Sequence, residues 1–281
     1  MSISNSSLFA LIKLLADDQP PIADAARAKL IQLGERAIPF LEQARRADAE
    51  QAVRFEAGQL LNQMRVERLN RLWERNAALS DDHLDLEHSV FLLAQIDHPG
   101  LDIEAYRSRL DRLADRVRVG FKPRQTLLRR FRLLNQVLFA SEGFRGNWAD
   151  TGDPKNLYMH HLLDRRIGAP VTLSALMLLL ARRLDLPLDG IALPGHFMVR
   201  APEITPELYI DPFHNGRFLS RGECIQSLVE SGFPYQPEFL RPVRVREILG
   251  RMLRNLILIH AERQEAGVEE RLEFFLDILG S

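Results

Sequence analysis

DRRIGAPVTLSALMLLLARRLDLPLDGIALPGHFMVR (residues 164–200), followed shortly by YIDPFHNG (209–216), is the stretch that decides the fold. Asp153-Pro154 starts a helix carrying Leu157, Met159, Leu162 and Leu163, which ends at Arg165-Arg166-Ile167-Gly168. The basic pair suits a helix C-terminus, and Gly168 can take the left-handed cap. Pro170 suits the first turn of the next helix, where its missing N–H costs nothing. That helix, over 172–184, is apolar on nearly every side and reads as the buried centre of a domain. Gly190 to Arg200 then reads as a strand broken at Pro194-Gly195, with His196 just past the break. Leu208-Tyr209-Ile210 is a second strand ending in Asp211, and Asn215-Gly216 offers a tight hairpin turn into 217–219. Antiparallel neighbours bring His196 and Asp211 side by side. A helix N-terminus, a histidine and an aspartate, each from a different element, form the skeleton of a nucleophilic hydrolase site.

The rest of the chain bounds the setting. At 281 residues, 46% hydrophobic and 27% charged, it reads as an ordinary globular protein of about two domains. Thirty-seven basic against 38 acidic residues give a formal charge of −1, which points to neither nucleic acid nor a membrane surface. The single cysteine, Cys224, excludes an intrachain disulfide and a cysteine-based metal cluster. MSISNSSLFALIKLLADD lacks a basic leader region and is not expected to be a signal peptide. Arg182 and Arg183 end the longest apolar run below membrane-spanning length. A cytoplasmic protein is the expectation.

Upstream, residues 7–64 read as two helical hairpins in tandem, offset by about 30 residues. Leu11, Leu30 and Ile31 then align with Leu41, Leu60 and Leu61. AARAKLIQLGERAIPFL resembles a HEAT repeat, although the spacing is shorter than that family's usual length of about 40. Such a pair implies a cap or docking face, the alternative being a plain helical extension. Residues 65–80 form a charged amphipathic segment, and helices follow over 83–95 and 102–118. Seven basic residues lie between Arg116 and Arg132 with no acidic one. They read as a solvated helix face, with a phosphate- or acid-binding patch as the functional alternative. Helices over 243–263 and 267–279 close the chain, and RMLRNLILIHAERQEAGVEERLEFF resembles one tetratricopeptide-like hairpin.

LLAQIDHPGLDIEAY, LFASEGFRGN, DPKNLYMHHLLDRRIGAPVTLSALMLLLARRL, LPGHFMVR and IDPFHNGRFLS lie within residues 82–235. Together they resemble the transglutaminase-like core of the SirB family of bacterial proteins. The resemblance implies an α+β, predominantly helical fold. Its papain- or transglutaminase-like core would pack a central buried helix on a small antiparallel sheet, between flanking helical hairpins. The expected divisions are 1–70, 71–236 and 237–281. His196 and Asp211 would occupy the histidine and aspartate positions of the family, for which no reaction is implied.

True transglutaminases place a cysteine at the start of the central helix, a position read here at Val171 or Thr172. Thr172 is either a weak nucleophile or a helix-terminal cap. Ser174 is expected to face elsewhere. Cys224 lies outside the motif order and reads as a small buried hydrophobe. His160 and His161 are adjacent on one helix and are expected to face apart, no metal-ligand spacing is seen, and His214 is assigned to the turn. The expectation is therefore a regulatory or protein-binding module with a protein partner and neither cofactor nor metal. The alternative is a hydrolase or acyl-transferase using Thr172, or a water activated by His196.

Overall fold

The helix starting at Pro170 forms where the sequence places it. Pro170 sits at the first helical position, and Ala169 before it is extended. The computed structural model describes residues 4–280. The helices are α1 (Asn5–Lys13), α2 (Pro20–Leu33), α3 (Ile38–Ala47), α4 (Gln51–Ala77), α5 (Leu86–Asp97), α6 (Ile103–Arg118), α7 (Leu127–Asn135), α8 (Met159–Arg165), α9 (Pro170–Arg183), α10 (Arg221–Glu230), α11 (Val245–Glu262) and α12 (Ala266–Leu279). The strands are β1 (Arg145–Gly146), β2 (Ile167–Gly168), β3 (Asp189–Leu193), β4 (His196–Ala201), β5 (Leu208–Asp211), β6 (Arg217–Ser220) and β7 (Pro242–Val243). The chain divides into two compact units, one ending at Leu72 and one beginning at Trp73.

The first unit packs Leu8, Ile12, Leu30, Leu41, Leu60 and Met64 into its own core. Pro20 and Pro39 lie in the first turns of α2 and α3, and Gly34 ends α2 with φ of 59°. Residues 65–77 are not a separate segment. They continue α4, since neither proline nor a capping turn interrupts 51–77.

In the second unit α9 buries ten of its 14 residues, among them Leu173, Leu176 and Leu180. An all-apolar helix must be surrounded, and here β4 covers one side while α6 and α11 pack on others. The five-stranded sheet has the order β6-β5-β4-β3-β7, every neighbouring pair antiparallel. The break at Pro194-Gly195 is a hairpin turn. Leu193 pairs with His196, and Gly195 has φ of 70°. The fold is α+β and mostly helical, of the transglutaminase-like kind that the motifs imply.

The turn after β5 is longer than the Asn215-Gly216 pair alone. Asp211 pairs with Arg217, so five residues form the loop, with Asn215 and Gly216 both at positive φ (56° and 72°). Gly216 is also sterically required. A Cβ there would lie 2.5 Å from the Phe139 ring and 2.7 Å from Asn135.

Two local expectations change. The left-handed cap of α8 is Arg166 (φ 61°), not Gly168. Its guanidinium is held by the backbone carbonyl and carboxylate of Glu142, which offset the strain of a non-glycine residue. Gly168 instead lies in β2, where a Cβ would meet Leu162 at 2.8 Å. The basic run from Arg116 to Arg132 is likewise not one helix face. It spans the end of α6, a loop and α7, and three of its side chains make contacts within the protein. Arg116 pairs with Glu142, Arg118 donates to the Arg183 carbonyl, and Arg130 lies over the Phe121 ring at 5.1 Å. None of the helices among the described residues is long and apolar enough to cross a membrane.

Candidate functional site

Because β4 begins at His196 and its antiparallel neighbour β5 ends at Asp211, both residues fall at the same end of the sheet. The His196 ring donates from Nε2 to Asp211 Oδ2 at 2.8 Å. Arg251 of α11 steadies the hairpin beneath, donating to the Leu193 carbonyl at 2.8 Å. His196 and Asp211 border a cavity of about 590 Å³ into which the start of α9 also projects.

Asp211 is 4% exposed and takes four hydrogen bonds. Oδ2 accepts from His196 and from His214 Nδ1 at 2.7 Å, and Oδ1 accepts from the backbone N–H groups of Phe213 and His214. Burial alone would raise its pKa. The hydrogen bond and charge of His196, with those of His214, outweigh it and hold the carboxyl below its ordinary range. With Nε2 donating to Asp211, a neutral His196 ring carries its lone pair on Nδ1. Nδ1 accepts no hydrogen bond among the described residues.

His214 was assigned to the turn, yet it is part of this cluster. The Asp-x-x-His spacing across the β5–β6 loop was the signal available in the sequence. Trp148, 4.4 Å from the Phe213 ring and 4.8 Å from that of His214, forms an aromatic wall with them. Phe213 reaches this place only because residue 146 is glycine; a Cβ there would lie 2.6 Å from its ring. On the opposite wall Asn156 anchors the helix start. Its carbonyl accepts from Ala169 N–H at 2.9 Å, and its side-chain oxygen accepts from Asn147 at 3.0 Å.

The helix start facing this cavity presents Ala169 and Pro170, and neither Val171 nor Thr172 lines it. Successive helical side chains diverge by about 100°, which turns residue 172 into the core. Thr172 is wholly buried, and its Oγ1 has no hydrogen-bond partner, so it neither meets His196 nor caps the helix. Ser174 donates to the Phe197 carbonyl at 3.3 Å. Cys224 is fully buried against Met198, its Sγ 3.7 Å from the Met198 sulfur. Burial, with Glu223 and Asp211 nearby, pushes its thiol up to about 12. Its reaction with an aromatic disulfide reagent should therefore be undetectable in the native protein and complete in denaturant. Native labelling at the rate of a free thiol would contradict this burial.

Two groups bring three metal-capable side chains together, with ligand atoms within 4.8 Å of one another: His196, Asp211 and His214, and Asp97, His160 and His161. The second corrects the expectation that the adjacent histidines face apart. Both rings turn onto Asp97, which ends α5 between them.

A helix start, a histidine and a buried aspartate border one cleft, and no cysteine is among the described residues that line it. Residues 104–254 match the Transglutaminase-like superfamily, and the chain belongs to that family. It is similar to a UPF0162 protein of Xylella fastidiosa (strain Temecula1), 32% identical over 200 residues covering 68% of this chain and 70% of the relative. A UPF0162 protein of Pseudomonas aeruginosa is 35% identical over 115 residues, 40% of this chain and 42% of that one. Human F-box only protein 21 is 32% identical over 154 residues, 52% of this chain and 24% of its own length. No solved structure gives a significant match.

Proposed function

We propose that this protein is a cytoplasmic, non-catalytic binding module whose transglutaminase-like cleft takes a segment of a protein partner. One observation carries the reading. The helix-start residues that line the cleft together with His196 are Ala169 and Pro170, neither of which bears a nucleophile. The cleft is otherwise intact, with an oriented imidazole, a buried carboxylate and an aromatic wall. Such a pocket suits recognition of a peptide side chain by a few placed polar groups among apolar ones. The match to about a quarter of F-box only protein 21 fits a core used as one module of a longer chain. In this reading the HEAT-like helices of 1–70 and the tetratricopeptide-like hairpin of 237–281 supply further contact surface beside that of the 71–236 core's own cleft.

The test is a peptide-library screen read by Trp148 fluorescence. Selected peptides should bind without turnover, and Phe233→Ala at the cleft rim should weaken them by about tenfold. Cleavage or acyl transfer that disappears in His196→Ala would overturn the proposal.

A second reading has its own support. His196 lines the cleft with its Nε2 tied to Asp211, so the neutral ring could activate a water at Nδ1 for hydrolysis, with Asp211 orienting it. That reading requires ester or amide hydrolysis sensitive to both His196→Ala and Asp211→Asn. Thr172 has no place in it, being sealed in the core.

A further inference from the structure

A second cluster lies in the unit beginning at Trp73, and none of its members lines the cleft. Asp97 is the last residue of α5, and His160 and His161 occupy the first turn of α8. His160 Nε2 lies 3.1 Å and His161 Nε2 2.9 Å from the same oxygen, Asp97 Oδ2, and the two ring centroids are 4.1 Å apart.

As a hydrogen-bonding arrangement this is poor. Two ring N–H groups share one carboxylate oxygen, as they do at Asp211, but Asp97 Oδ1 accepts nothing among the described residues. His160 is 4% exposed, and its Nδ1 has no hydrogen-bond partner, which leaves one nitrogen of a buried ring unsatisfied. The His196, Asp211 and His214 group differs. There Asp211 uses both oxygens, and backbone N–H groups complete its shell, so hydrogen bonding accounts for the geometry.

Three ligand atoms converging on one point are what a metal ion requires. Bonds of about 2.0–2.1 Å in a tetrahedral site separate neighbouring ligand atoms by about 3.3 Å. The two N–O separations already stand within a few tenths of an ångström of that spacing. We propose that Asp97, His160 and His161 form a binding site for a divalent transition-metal ion of the zinc type, joining the end of α5 to the start of α8.

Two imidazoles and one carboxylate suit zinc, cobalt or nickel over calcium or magnesium. Asp97 and His161 remain partly open to solvent, which leaves room for water as a further ligand. Since α8 leads through β2 directly into α9, an ion here would anchor the segment that precedes the cleft wall.

The experiment uses the full chain without an affinity tag, stripped by chelator, titrated with Zn²⁺ by calorimetry and with Co²⁺ by visible absorption. One ion should bind per chain at this site, with a four-coordinate cobalt spectrum. Saturating zinc should raise the unfolding midpoint by about 5 °C. Asp97→Asn and His161→Ala should each weaken binding at least about tenfold, while His214→Ala leaves it unchanged. Absence of binding overturns the proposal. So does wild-type affinity in Asp97→Asn and His161→Ala, or a loss that follows His214→Ala instead. Should Asp97→Asn fail to fold, His161→Gln at the partly exposed ring decides the matter alone.

Discussion

Trp73→Ala is expected to lower the stability of the unit beginning at Trp73 by about 3–5 kcal/mol, the range for removing a large aromatic from a packed core. Trp73 is wholly buried and lies against α12, its ring stacked on Phe275 with centroids 4.7 Å apart and planes within 7°. Its indole N–H donates to the Phe275 carbonyl at 2.9 Å. Truncation thus opens a cavity, removes the stacking and leaves a buried carbonyl unpaired. Trp73→Phe separates these effects. It keeps most of the apolar contact and loses only the donor, for an expected cost of about 1–2 kcal/mol. The chain has two tryptophans, Trp73 and Trp148, both in this unit, so Trp148 fluorescence reports its urea transition in either variant. A midpoint shift worth under about 1 kcal/mol in Trp73→Ala would show that α12 docks without this ring.

That contact joins residues about 200 apart, and nothing in the sequence announces it. Local signals were legible where the physics is local. Pro170 at a helix start, the all-apolar run of α9 and the two short strands read around His196 and Asp211 each depend on near neighbours in the chain. They were enough to place His196 and Asp211 at one end of a sheet. What escaped depended on groups brought in from elsewhere. The left-handed cap went to Arg166 because Glu142 holds its guanidinium, so Gly168 was freed to let Leu162 approach. His160 and His161 share a target because α5 delivers Asp97 between them. The helix-start residues that line the cleft are Ala169 and Pro170, whereas Val171 and Thr172 are buried. At about 100° per residue, a shift of one position decides whether a side chain meets the cleft or the core. His214 was near enough in sequence to be found, and was missed because a turn sufficed to explain it.

Asp211→Ala is expected to cost about 3–4 kcal/mol at neutral pH, and the same residue gives the cleft its pH dependence. The substitution strands four donors at once: the rings of His196 and His214, and the backbone N–H groups of Phe213 and His214. Hydrogen bonds to a buried charged acceptor are worth more than neutral ones, and donors left without a partner add their desolvation. Asp211→Asn should cost only about 1–2 kcal/mol, because its carbonyl can still serve the two backbone groups. Its NH₂ would then face His196 Nε2 and force the proton onto Nδ1. The cleft would gain a donor where the wild type has an acceptor, a change visible in the imidazole ¹⁵N shifts. The linkage follows from the depressed carboxyl. Its folded pKa lies below the ordinary 3.8, so its stabilisation is fully present above that value and is lost as pH falls through the lower, folded value. Urea unfolding at about pH 5 and 3.5 should show the gap between wild type and Asp211→Asn narrower at the lower pH. A gap that stayed constant down to the lowest pH would mean that Asp211 is not ionised beside His196. Its role would then be that of a neutral hydrogen-bonding group, and the lone pair assigned to His196 Nδ1 would go with it.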